Sequence, residues 1–145
     1  TEGAFEPDKD VLRAEATKMV LLGLGYEETA CDATIFPDLN TGDWFCGVVT
    51  IAYKKWIING DQGKLYPARN MTRAEAVKIL LKAKGITPPE ITENPFPDVN
   101  KDAWYAPYVY KASILGYVEG NNGQFEPNRE ITRAELAKIV SLASE

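Results

Sequence analysis

Three arginines stand where an anion could be read. Arg133 lies in Thr132-Arg133-Ala134-Glu135, Arg73 in Thr72-Arg73-Ala74-Glu75, and Arg13 in Leu12-Arg13-Ala14-Glu15, each 60 residues from the next. Each copy opens an apolar run with helical spacing. In the two later copies, Thr at the N-cap with Glu three residues on makes a capping box: Thr72 with Glu75, and Thr132 with Glu135. Capping does not use the arginine between them. A guanidinium in the first turn of a helix faces the positive end of the macrodipole, so it calls for an anion. Its planar fork suits a carboxylate, and the free backbone N–H groups of the helix start add donors. Leu12 replaces the capping Thr in the first copy, so the Arg13 site lacks one hydroxyl.

Other residue types exclude other chemistries. There is no His for general acid–base work, no nucleophile elbow and no phosphate loop, so no enzyme and no cofactor is expected. The acidic residues fall at turn and cap positions, where structure accounts for them; Asp38 and Asp98 are expected to stabilise the turn entering a helix. Asp98-Val99-Asn100-Lys101-Asp102 begins like a calcium loop but lacks the following Gly and a closing Glu, so no metal site is expected. Cys31 and Cys46 are the only cysteines and have no zinc-ligand spacing. They read either as two buried thiols or as a disulfide clipping a linker to the next helix. The second is favoured, because an exposed linker is a poor place for a free thiol, and it would imply an exported protein.

The elements that must position the arginines repeat with the same period. Phe36-Pro37-Asp38 matches Phe96-Pro97-Asp98, Trp44 matches Trp104, Gly60 matches Gly120, and Lys78 matches Lys138, all without a gap. Gly3, Phe5, Pro7, Arg13, Glu15, Lys18 and Gly25 fall on the second half of the same unit. The chain therefore divides into half a unit over 1–25 and whole units over 36–85 and 96–145, joined by short linkers. Upstream residues are expected to have been removed, since the chain starts inside a unit.

Within a unit the pattern is loop, helix, loop, helix. The first helix of the last unit spans about Trp104–Leu115, with Tyr105, Tyr108, Val109, Ala112 and Leu115 on one face. Its counterpart carries Val48, Val49, Ile51, Ala52 and Trp56. The capped helices carry Met71, Ala74, Val77, Ile79, Leu80 and Leu81, and then Ile131, Ala134, Ala137, Ile139, Val140 and Leu142. Gly60-Asp61-Gln62-Gly63 and Gly120-Asn121-Asn122-Gly123 are turns by composition. Trp44 and Trp104 are expected in the core, although their flat faces would also suit a sugar ring. Gly60 and Gly120 would let a ligand approach the backbone.

With 45% apolar and 26% charged residues, the 145-residue chain has globular composition. A net charge of −5 argues against nucleic acid or an anionic membrane as the main partner. No apolar run approaches the ~20 residues of a membrane span.

Phe-Pro-Asp, Trp-Tyr-Ala, Gly-Tyr-Val-Glu-Gly, Gly-Gln-Phe-Glu-Pro and Ile-Thr-Arg-Ala-Glu, in that order in the last unit, together resemble the S-layer homology (SLH) module. The resemblance covers nearly the whole chain, as one C-terminal half-motif and two full motifs. It implies an all-α helical repeat array packed as a pseudo-three-fold bundle, here with its first motif incomplete. It implies a non-catalytic, extracellular wall-anchoring role, with an acidic and often pyruvylated polysaccharide held in grooves between repeats. Arg73, Arg133 and Arg13 would meet its carboxylate. Thr72, Thr132, Gly60, Gly120, Trp44 and Trp104 would shape the grooves, while Glu75 and Glu135 cap the helices. Two grooves are expected to form securely and a third is not. The alternative is an assembly module that uses the same surfaces for another surface-layer protein or a second copy, because half a motif is missing and an uncovered apolar helix face invites a partner.

Overall fold

A computed structural model describes residues 6–145. Gly3 and Phe5, read as part of the first half-unit, lie outside the described residues. The described residues form five helices: α1 (Arg13–Gly23), α2 (Cys46–Lys54), α3 (Arg73–Ala83), α4 (Ala106–Ile114) and α5 (Arg133–Ala143). The starts of α1, α3 and α5 keep the 60-residue spacing of the sequence, and so do those of α2 and α4. Strand-like pairing among the described residues is confined to isolated bridges.

Helices α1, α3 and α5 pack against one another, with α2 laid on α1 and α4 on α3. Ala16, Val20, Ala76, Leu80 and Leu136 are fully buried on the three central helices. The faces expected on α3 are buried throughout, from Met71 to Leu81. On α4 only Val109 and Ala112 are buried among the residues expected there, and Leu115 lies past the helix end, exposed. Trp56 departs most from expectation. It falls beyond the end of α2, with a left-handed φ of 63° where the next unit has Gly116, and it is 81% exposed.

The central helix starts are tied by backbone bonds that run round a closed ring. Val11 N–H donates to Ile131 O, Ile131 N–H to Met71 O, and Met71 N–H to Val11 O, at 3.2, 2.9 and 2.9 Å. One step further on, Arg13, Arg73 and Arg133 N–H donate to the carbonyls of Arg69, Arg129 and Lys9. Ala14, Ala74 and Ala134 N–H donate to those of Pro67, Pro127 and Pro7. The first N–H groups of a helix have no partner inside it. Here each helix finds them in the loop that leads into its neighbour.

The Phe-Pro-Asp aspartates do something other than the turn-stabilising role expected of them. Asp38 accepts from Leu65 and Tyr66 N–H at 2.9 and 2.8 Å, and Asp98 from Phe125 and Glu126 N–H at 2.9 and 2.7 Å. Each carboxylate clamps the loop before the second helix of its own unit, 27 residues away. Tyr66 and Glu126 sit at φ of 52° and 62°, so the clamp holds a backbone shape that few side chains adopt unaided.

Candidate functional site

The arginines of the repeated element meet anions inside the protein. Arg13 Nη1 lies 2.9 Å from Glu75 Oε2, Arg73 Nη1 lies 2.7 Å from Glu135 Oε2, and Arg133 pairs with Glu15. These pairs also run round a closed ring. Each arginine reaches the capping-box glutamate of a neighbouring helix, so one carboxylate has two jobs: Glu75 Oε1 accepts from Thr72 N–H and Glu135 Oε1 from Thr132 N–H. Arg13 Nε donates to Leu65 O and Arg73 Nε to Phe125 O. Burial pulls both guanidinium pKa values below their usual range, opposed by Glu75 and Glu135 respectively. The anion that a first-turn guanidinium requires is thus present within the fold.

Thr72 and Thr132 cap as expected, each Oγ1 accepting from its Glu N–H at 3.2 Å. At Leu12 only half of the box survives, Glu15 accepting from Leu12 N–H.

Two clefts lie beside the ring, related by the repeat. The first, of about 290 Å³, brings Arg13, Gly60 and Trp104 together with Asp61, Arg69, Glu75 and Lys78. The second, of about 260 Å³, brings Arg73, Gly120 and Glu135 together with Arg129 and Lys138, without a tryptophan. Trp44 and Arg133 line neither cleft.

The tryptophans overturn the core expectation. Trp44 and Trp104 are 56% and 53% exposed. Both stand just ahead of a helix rather than on its buried face, and each lies under a lysine: Lys18 Nζ is 5.2 Å from the Trp44 ring and Lys78 Nζ is 5.1 Å from Trp104. Gly60 and Gly120 line the clefts, but their missing side chains make room for the protein itself. A Cβ on Gly60 would fall 2.6 Å from the Phe36 ring, and one on Gly120 2.8 Å from Phe96. The glycines fit a tight turn against an aromatic ring before they fit any ligand.

Sequence reading missed Arg69, Arg129 and Asp61 as cleft residues. The two arginines recur at the 60-residue offset, which was the available signal. They behave differently. Arg69 stacks 4.5 Å over Tyr66 and pairs with the exposed Asp61. Arg129 gives two bonds to Glu135, at 3.1 and 2.6 Å, and reaches Glu126. Burial tends to raise the Glu135 pKa, but the bonds from Arg129, the Thr132 N–H and the charge of Arg73 prevail. They take it from an ordinary 4.5 to about 2.

A depressed carboxylate pKa contributes stability that is present above its unfolded value and lost as pH falls through its folded value. Urea midpoints are therefore expected to drop between about pH 4.5 and about pH 2. The Glu135→Gln variant should be less stable at neutral pH and flatter across that window. Parallel curves for the two proteins would show that Glu135 carries none of the acid sensitivity.

The residues over 35–77 and 95–137 each match the family model for the S-layer homology domain. The chain is 34% identical over 146 residues to Exoglucanase XynX of Acetivibrio thermocellus, which covers 97% of this chain and 13% of that one. It is 26% identical over 133 residues to S-layer protein sap of Bacillus anthracis (91% of this chain, 16% of that one) and 29% identical over 145 to Surface layer protein of Brevibacillus choshinensis (97% and 12%). It thus spans less than a fifth of these relatives' lengths. With both units matched, the chain belongs to the S-layer homology family. It is an extracellular, non-catalytic module that anchors at the cell surface.

Proposed function

We propose that the module anchors by binding an acidic, pyruvylated wall polysaccharide in the clefts between its repeats. Its half-motif (1–25) and two motifs (36–85 and 96–145) would be arranged as a pseudo-three-fold bundle. The closed rings of backbone bonds and of Arg–Glu pairs support that arrangement. The observation that carries the binding reading is the first cleft. In a chain of net charge −5, it gathers the cations Arg13, Arg69 and Lys78 against the carboxylates Asp61 and Glu75, beside an exposed Trp104. A local excess of positive charge next to a flat aromatic face suits an anionic sugar.

The test is sedimentation of the purified chain with wall material, with its acidic polysaccharide intact and with it stripped. Binding should be lost with the polysaccharide. Equal binding to both preparations would remove this reading.

The assembly reading draws on α5. Ala134 and Ser141 are exposed there, while their counterparts Ala14 and Leu21 on α1 and Ala74 and Leu81 on α3 are buried. The exposed face carries small and polar groups, Ala134, Lys138 and Ser141, rather than the large apolar side chains that dominate stable interfaces. Sizing the chain over a hundredfold concentration range separates the readings. Self-association without polysaccharide binding would favour assembly.

A further inference from the structure

We propose that Lys78, held against Trp104, is the side chain that reads the sugar carboxylate in the first cleft. The inference rests on the polysaccharide reading and moves the anion contact away from the arginine of the repeated element. Arg13 has little left to offer, since its Nε serves Leu65 O and its Nη1 serves Glu75 in a largely buried position. It is a positioning residue that closes the ring of helices.

Lys78 is the opposite case. Its ammonium is half-buried, lines the cleft and has no carboxylate at ion-pair distance among the described residues. Glu75, the acid nearest along its own helix, already accepts from Thr72 N–H and Arg13. The other charges that act on Lys78 are the cations Lys82 and Arg13. Burial and those cations push its pKa down, with Glu75 opposing. A partly desolvated ammonium facing like charges is costly unless an anion arrives. The Trp104 ring stabilises it in part and offers the adjacent face to a sugar.

The repeat supplies two internal controls. Lys18 lies over Trp44 in the same way, but that pair lines neither described cleft. Lys138 lines the second cleft, but it is exposed there, no tryptophan accompanies it, and the neighbouring Arg129 is held by Glu135 and Glu126. Among the described residues, only Lys78 combines the cleft, the tryptophan and an unanswered charge. The contact with the sugar carboxylate is therefore assigned, among the described residues, to the first cleft, and the second cleft would hold the glycan without it.

The experiment titrates the purified chain with pyruvylated wall polysaccharide and with the same polysaccharide after its carboxylates are reduced to alcohols. Wild type should prefer the acidic form by about tenfold or more, the scale of one charge-assisted hydrogen bond. Lys78→Gln, and Lys78→Met as a second variant that keeps the apolar stem, should abolish the preference with the thermal midpoint little changed. Lys18→Gln and Lys138→Gln should keep it. If both Lys78 variants fold and still prefer the acidic form, this assignment is wrong while the anchoring reading survives. If wild type binds both forms equally, the carboxylate is not read and the assignment falls. If wild type binds neither, assignment and anchoring reading fall together.

Discussion

Arg13→Ala is expected to cost about 3–4 kcal/mol of folding stability, the scale of breaking a buried ion pair by removing one partner. Arg13, 8% exposed, joins through its guanidinium the start of α1 to Leu65 O and to Glu75 at the start of α3. Its loss leaves Glu75 Oε2 without the ion pair and Leu65 O without its side-chain donor. Arg73→Ala should cost less, about 2 kcal/mol, because Glu135 keeps two bonds from Arg129. Urea denaturation of both variants measures the difference. If the two lose equal amounts, Arg129 does not compensate at Glu135; if either loses less than about 0.5 kcal/mol, the ring does not hold the bundle together. The result also bears on function: loss of wall binding by an arginine variant means something only at a temperature where that variant is folded.

That ring shows where sequence reading stops. The capping boxes at Thr72 and Thr132 were legible because their atoms lie three residues apart, and a local pattern reports a local bond. The partner of each arginine is a local residue of another repeat, 62 positions along the chain for Arg13 and Arg73. A repeat period says that Arg and Glu recur together. It does not say that they pair across copies rather than within one. Asp38 and Asp98 escaped for the same reason, since their partners lie 27 positions away.

Helical periodicity placed Met71 through Leu81 correctly because α3 is buried on most sides. It could not place Trp44 and Trp104, which precede their helices and so belong to no periodic face. Composition suggested burial for a large aromatic ring. Each ring instead stands half open beneath a lysine, just ahead of its helix.

Reducing the Cys31–Cys46 disulfide is expected to lower stability by about 3 kcal/mol on chain-entropy grounds, given its separation of 15 residues. The bond ties the linker after α1 to the first residue of α2. The linker is also docked without it. Asp32 N–H donates to Thr50 Oγ1 at 3.0 Å, and Gly47 lets the Thr29 carbonyl come so close to α2 that a Cβ would lie 2.7 Å from its oxygen. The repeat shows what packing alone does at the same place. The positions 60 residues on are Ile91, packed against the core, and Ala106, fully buried.

Cys31→Ile with Cys46→Ala should therefore fold, recover part of the loss and become indifferent to reductant. Thermal scans with and without a thiol reductant compare it with wild type. Exchange of the Asp32 amide, which reports the linker contact, should quicken in reduced wild type while the amides of α3 keep their protection. If reduction instead exposes α3 to the same degree as the linker, the disulfide supports the whole bundle rather than one strap. The isoleucine–alanine pair would then be expected to fail as its substitute.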